Sequence, residues 1–178
     1  MSLHLGPLRQ NGYVVPDLDA AIEGWLDLGV GPWIVYPHAP FEDFVYQGHP
    51  GELDVSIALA NSGPLQIELI DQHDSSPSLY RDFLEANPAG GLQHLGYWVD
   101  DYDDVHQHCL DLGWTVGHEG SIADCRFTYF DTEFHGGTIM EIAAMNEERR
   151  ASFARIEQMA AEWNGVDRPT RVIDLSSS

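Results

Sequence analysis

The sequence predicts an α+β fold built from two tandem βαβββ units followed by a C-terminal helix. Three observations carry this. The chain repeats itself, each copy contains one helix-length apolar stripe between recognisable start and stop signals, and strand-like alternation follows each stripe. "GYVVPDLD" at Gly12 to Asp19 returns as "GYWVDDYD" at Gly96 to Asp103, and "LDLG" at Leu26 to Gly29 returns at Leu110 to Gly113. Both matches share one offset, 84 positions (12 to 96, 26 to 110), so they form a single alignment.

Each copy opens with a short strand. In "RQNGYVV", residues 9 to 15, alternation sends Arg9, Asn11, Tyr13 and Val15 to one face and Gln10, Gly12 and Val14 to the other. Asp17 and Asp101 are expected to cap the helices that follow, because a carboxylate there can accept from the first free N–H groups. Apolar residues at 18, 22, 25 and 28, and again at 102, 105, 109 and 112, predict one buried stripe per helix. Gly29 and Gly113 stand just past the ends, where a left-handed backbone suits glycine. Strands are expected at "DFVYQG", "LDVSIALA" and "LQIELI" in the first copy, and at "TVGHEG", "RFTYFDT" and "TIMEIAA" in the second.

The units are therefore placed at residues 8–72 and 92–144, joined by a helix and hinge over 73–91. In that joint Ser76 is the expected cap, Pro77 suits the first turn, and Asn87-Pro88 stops the helix. Residues 145–178 hold a helix with a stripe of Phe153, Ile156, Met159 and Trp163, then a tail expected to fray at Ser176 to Ser178.

Bulk composition excludes several functions. With 43% hydrophobic residues the 178-residue chain can bury a core. No apolar run approaches the ~20 residues of a membrane span, and no basic-then-apolar leader opens the chain, so a cytoplasmic protein without membrane contact is expected. Cys109 and Cys125 form no metal-type pair and read as reduced, half-buried residues. Against 29 acids there are 8 bases, a net charge of -21, and this argues against nucleic acid, which needs a basic footprint. Only Arg9, Arg81 and Arg126 precede Arg149, so a site made by the repeats has few cations for phosphates or several carboxylates.

Chemistry appears when the repeat is applied to polar residues. Gln10 corresponds to His94, on the same face of the equivalent strand. In the last strands "IEL" matches "MEI", which sets Glu68 against Glu141 at an offset of 73 (68 to 141). A carboxylate amid apolar strand neighbours must find a cation or several donors, or lose its charge. The bland alternative turns each glutamate to solvent. Four metal-capable side chains at repeat-equivalent places favour one divalent metal, with two glutamates balancing its charge and an imidazole and an amide oxygen completing a mixed O/N set.

From about residue 8 to 144 the chain resembles the vicinal oxygen chelate superfamily, the glyoxalase/bleomycin-resistance/dioxygenase fold, on "QNGYVVPDLDAAIEGWLDLGVGPW", "QIELI", "HLGYWVDD" and "GGTIMEI". The resemblance implies a curved, open-barrel mixed sheet around one metal site, with metal positions left for two vicinal substrate oxygens. Gln10 stands where the family usually has histidine, and the set Gln10, Glu68, His94 and Glu141 resembles that of animal-type glyoxalase I. Gln10 is then a ligand through its carbonyl oxygen. Zinc is favoured over nickel, cobalt, manganese or magnesium, and a homodimer is expected, its units paired in one chain or swapped between two.

The implied activity is that of a metal-dependent lyase, isomerase or epimerase stabilising an enediolate or enolate of a small substrate. Glu141 is the first candidate for the proton-carrying base and Glu68 the second, because the resemblance implies that ligand glutamates carry the proton. The scarcity of cations argues against the glutathione conjugate of glyoxalase I and against a coenzyme A thioester, and for a neutral α-oxygenated carbonyl compound. Gln66 and Trp98 share faces with Glu68 and His94 and are expected beside the site. Tyr36, Tyr46, Phe127 and Tyr129 are expected to contact substrate, with Trp33 and Phe44 as further aromatic candidates of which about half belong to the core.

Two rival readings share the fold. A metal-free protein that sequesters a drug or antibiotic would exploit the acidity, and an extradiol dioxygenase would use a two-histidine, one-carboxylate set for iron, against which Gln at the first of the four positions and Glu at the second argue. Among the remaining histidines, His106 and His108 read as helix surface, and His4, His38, His49, His73 and His118 as loops or ends. His135 in "EFHGGT", just before the last strand, reads first as another loop histidine, with a place overhanging the cleft as the alternative. The acidic "DDYDD" reads as a helix start rather than a metal site. Arg149, Arg150 and Arg155 on the last helix are candidates for closing the cleft and supplying cations.

Overall fold

In each repeat the helix packs on one face of the sheet and leaves the opposite face open to a site. The computed structural model describes residues 4–132, 138–167 and 170–173. His135 and Ser176 to Ser178 lie outside the described residues.

The first unit comprises β1 (Leu8–Val14), α1 (Leu18–Asp27), β2 (Trp33–Tyr36), β5 (Val55–Ser62) and β6 (Leu65–Gln72), with the hairpin β3 (Glu42–Tyr46) and β4 (His49–Pro50) inserted after β2. Then come α2 (Leu79–Ala86) and the second unit, β7 (Gly91–Val99), α3 (Tyr102–Asp111), β8 (Thr115–Ile122), β9 (Cys125–Asp131) and β10 (Ile139–Ala144). The chain continues through α4 (Glu147–Glu162) to β11 (Thr170–Val172). All eleven strands join one curved, open, mixed sheet in the order β11-β2-β5-β6-β1-β7-β10-β9-β8-β3-β4.

The units meet where β1 runs antiparallel to β7; β1 also pairs in parallel with β6, and β7 with β10. Outward from this seam both units repeat the same strand sequence, β1-β6-β5-β2 and β7-β10-β9-β8. The second strand of the first unit is thus Trp33–Tyr36, not "DFVYQG". The latter becomes β3, which crosses to the far edge and pairs with β8 (Tyr46 opposite His118).

Alternation divides the side chains between two layers. Outward, Leu18 and Ile22 of α1 pack on Ala58, Ala60, Ile67 and Leu69, while Tyr102 and Cys109 of α3 pack on Phe130 and Ile142. Inward, Val14, Ile57, Leu59, Ile70, Phe127 and Tyr129 form a third cluster with Tyr80 of α2 and Ile156 of α4. Truncating one of the fully buried aliphatics, such as Leu69 or Ile142, would cost about 2–5 kcal/mol.

The helix signals hold in part. Asp17 accepts from the Ala20 N–H at 2.9 Å, and Gly29 and Gly113 take φ of +79° and +83°. Asp101 makes no side-chain cap bond; its backbone (φ -101°, ψ 70°) departs from the extended geometry of Asp17 (φ -154°, ψ 105°). Each stripe is one residue too long, since Leu28 and Leu112 cap the helix ends and are 75% and 59% exposed. The cap of α2 is Ser78, which accepts from the Arg81 N–H, whereas Ser76 donates its hydroxyl proton to Asp74. Asn146 caps α4 through the Arg149 N–H at 2.8 Å, and no described helix is long and apolar enough to cross a membrane.

Candidate metal centre

The strand register brings four ligand-type residues from the two units onto the inner face at the seam. Gly12 lies between Glu68 on β6 and His94 on β7, and Gly96 lies between Gln10 on β1 and Glu141 on β10. These glycines are themselves repeat equivalents, and each leaves room over the sheet for its neighbours. A Cβ on Gly12 would overlap the His94 ring, and one on Gly96 would stand 2.8 Å from Gln10 Oε1 and 2.9 Å from Glu141 Oε2. The β1–β7 ladder is also irregular on both sides of this pair, between Leu8 and Gln10 and between Gly12 and Tyr13.

Two hydrogen-bond chains orient His94 and Gln10. The Gln93 amide nitrogen donates to the Leu79 carbonyl at 3.2 Å, so its oxygen faces Nδ1 of His94 at 2.8 Å. Nδ1 therefore carries the donated proton, and in the neutral imidazole Nε2 presents its lone pair to the site. Likewise the Gln10 amide nitrogen donates to Gln66 Oε1 at 2.8 Å, leaving Gln10 Oε1 for the site.

Nε2 of His94 then lies 3.2 Å from Glu68 Oε2 and 3.5 Å from Glu141 Oε2. Both carboxylate oxygens are buried without a hydrogen-bond partner among the described residues. A lone pair facing two carboxylates is repulsive unless a proton or metal ion lies between them. Ligand atoms of Glu68, His94 and Glu141 all fall within 4.8 Å of one another, so the donor set fits a divalent metal. Burial raises the Glu141 carboxyl to about 7, and the Glu68 charge adds to this, while Arg149 acts in the opposite direction.

A cavity of about 320 Å³ opens over this centre, lined by Gln10, Glu68 and Glu141 at its floor. Tyr36, Trp98, Phe127 and Tyr129 line its walls. Tyr46 does not: its hydroxyl donates to Asp82 at 2.7 Å, because β3 has moved to the far edge. Gln66 is fully buried behind Gln10 and orients it rather than touching the cavity. Trp33 and Phe44 belong to the core.

The α4 helix forms one wall. Phe153 packs on Trp98 with ring centroids 4.7 Å apart, and Arg149 lines the cavity while donating to the Ile122 carbonyl at 3.0 Å. Arg150 instead pairs with Asp100 at the surface, and Arg155 lies outside the cavity. Arg149 is the one cation among the described lining residues.

Several contributors escape sequence reasoning. Gln93 carried no signal beyond standing before His94. Gly12 and Gly96 were visible only as the first letters of the repeated "GYVV" and "GYWV". Tyr80 lines the cavity from α2, outside the repeat. His118 is neither loop nor end: it lies on β8, fully buried among Phe44, Tyr80, Phe127 and Tyr129. His49 is on β4, and His106 is half-buried over Tyr102 rather than free on the helix surface. The acidic run at 100–104 contributes to no metal-type group among the described residues.

A model of the Glyoxalase/Bleomycin resistance protein/Dioxygenase superfamily matches residues 9–129. No match was found among curated protein sequences. Among solved structures, methylmalonyl-CoA epimerase from Mycobacterium tuberculosis is similar with TM-score 0.58 and 23% identity, over 85% of this chain and 96% of that one. A hypothetical protein from Bacillus halodurans gives TM-score 0.58 and 18% identity over 79% and 95%. A variant of Streptomyces coelicolor methylmalonyl-CoA epimerase, in complex with 2-nitronate-propionyl-CoA, gives 0.53 and 20% over 80% and 96%. At these identities the likeness is one of fold.

Proposed function

This chain belongs to the glyoxalase/bleomycin resistance protein/dioxygenase superfamily, and from that premise we propose that it is a metal-dependent isomerase, epimerase or lyase that moves a proton next to a carbonyl group. The observation that carries the proposal is the pair of orphaned carboxylate oxygens on Glu68 and Glu141, facing the Nε2 lone pair of His94. Gln10, Glu68, His94 and Glu141 would hold the ion, with zinc favoured for the mixed O/N set. Such an ion supplies a Lewis acid for two vicinal substrate oxygens and so favours the enediolate or enolate.

The chain's own residues divide the remaining work. Glu141, whose carboxylate stands at the floor of the cavity, takes the proton from carbon and returns it. The Tyr129 hydroxyl, 3.4 Å from His94 Nε2, would help hold that nitrogen at the site. Trp98, Phe127 and Phe153 exclude water and hold an apolar body.

Cavity charge selects the substrate class. Among the described lining residues there is one guanidinium, already donating to two backbone carbonyls, which can hold at most a single carboxylate and offers little to the phosphates of a coenzyme A thioester. We assign a neutral or monoanionic α-oxygenated carbonyl compound with an aromatic or alicyclic body. An iron dioxygenase is disfavoured because Gln10 replaces the second imidazole.

Metal content by elemental analysis, paired with exchange of the substrate α-hydrogen in deuterated water, tests the proposal. Wild type should hold one equivalent of divalent metal that Glu141→Ala lacks, and only wild type should exchange aromatic α-hydroxyketones. Equal metal in both folded proteins, with no exchange, would leave a cleft that only binds.

A further inference from the structure

We propose that His38, Asp54 and His73 form a second, peripheral site for a divalent metal of borderline softness, such as zinc, nickel or copper. The three residues come from separate segments: the linker after β2, the residue before β5, and the residue after β6. Each offers a ligand atom within 4.8 Å of the other two. Nδ1 of His38 lies 2.5 Å from Asp54 Oδ1, and the imidazole rings of His38 and His73 are 5.4 Å apart. None of the three lines the central cavity, so this cluster is distinct from the Glu68–His94–Glu141 centre.

Backbone bonds fix the convergence. His73 donates its N–H to the Asp54 carbonyl at 2.8 Å, and Ala39, next to His38, donates to the Val55 carbonyl at 2.8 Å. The Ser56 hydroxyl lies 2.8 Å from Nε2 of His73 and holds that ring in place. His38 adopts φ +49°, in the left-handed region that L-residues seldom occupy.

Two imidazoles and one carboxylate select zinc, copper or nickel over magnesium or calcium, which prefer oxygen donors throughout. Three protein ligands leave a position for water. An ordinary surface reading, one His–Asp ion pair beside one His–Ser hydrogen bond, accounts for each contact singly but gives the two imidazoles no reason to face one carboxylate. Occupancy would have a consequence at the central cavity. Residues 37–40 join Tyr36 to Phe41, two of its lining residues, so a metal on His38 would pin that wall to the sheet.

Equilibrium dialysis of untagged, full-length protein against zinc, followed by elemental analysis, decides the matter. Wild type should bind a weaker equivalent beyond the one removed by Glu141→Ala. The doubly substituted His38→Ala/His73→Ala protein should lose that weaker equivalent and keep the other. With copper(II), the wild-type electron paramagnetic spectrum should show couplings to two imidazole nitrogens from this site, absent in the double variant. Both histidines are exposed, so the variant should fold, and a thermal melt checks this. Non-specific zinc on the acidic surface would persist in the variant. A wild-type stoichiometry unchanged by the double substitution, or no second equivalent, overturns the site, whichever way the Glu141 result falls.

Discussion

A Cβ placed on Gly12 would stand 1.7 Å from Cε1 of His94, so the imidazole occupies space that any other residue at position 12 would fill. The strand pairing sets Gly12 directly opposite His94 across the seam between the units. One copy of the repeat thus leaves a gap into which the other copy's ligand fits. Gly12→Ala should displace the imidazole and lower metal affinity by ~100-fold, measured by chelator competition. Gly24→Ala is the control: it lies in α1, where an added Cβ meets nothing within 4 Å, and should gain ~0.5–1 kcal/mol of stability with affinity unchanged. Equal affinities in the two variants would show that His94 does not bind the metal.

In the proposed metal site Gln93 would be a positioning residue, since it touches His94 Nδ1 at 2.8 Å and lines no part of the cavity. Gln93→Leu frees Nδ1 of His94 and lets the ring rotate or exchange its tautomer, so metal affinity should fall about 10- to 100-fold. Gln93→Glu, which still accepts from Nδ1, should recover most of the loss. Histidine nitrogen shifts in the NMR spectrum give a readout that a merely structural role would leave alone. No recovery with glutamate would remove Gln93 from this role.

Much of this centre is legible in sequence because the repeat aligns residues that alternation then sends to one face. Gln10 and His94 follow from the offset of 84, and Glu68 and Glu141 from the offset of 73. The change between those offsets reflects the β3–β4 excursion, present in the first unit and absent from the second. Where that excursion goes is a question of tertiary pairing, and no local pattern in "DFVYQG" says that its partner is β8. This is why Tyr46 was expected at the cavity. The true second strand, "WIVY", is only four residues long and lies between prolines, too short for alternation to register. Gln93 and Tyr80 were hidden for another reason: their roles depend on contacts made across the seam by α2, which no periodicity encodes.

His118 makes acid stability a property of the aromatic cage behind the centre. Its ring is fully buried against Tyr80 and Tyr129, neither ring nitrogen has a hydrogen-bond partner among the described residues, and burial pushes its pKa down to about 3. In the unfolded chain the same imidazole titrates near the ordinary value of 6.5. Between these values the unfolded chain binds a proton that the folded chain refuses, so folding stability is full above pH 6.5 and declines as pH falls toward 3. The decline from this group is about 1.4 kcal/mol per pH unit, a few kcal/mol by pH ~4. His118→Phe keeps a ring in the cage and removes the titration. Urea unfolding from pH 7 to 4 should therefore show a shallower loss in the variant than in wild type, with the two curves converging in slope above pH 6.5. Parallel curves throughout would mean that His118 accepts its proton in the folded state, and that the cage opens to water.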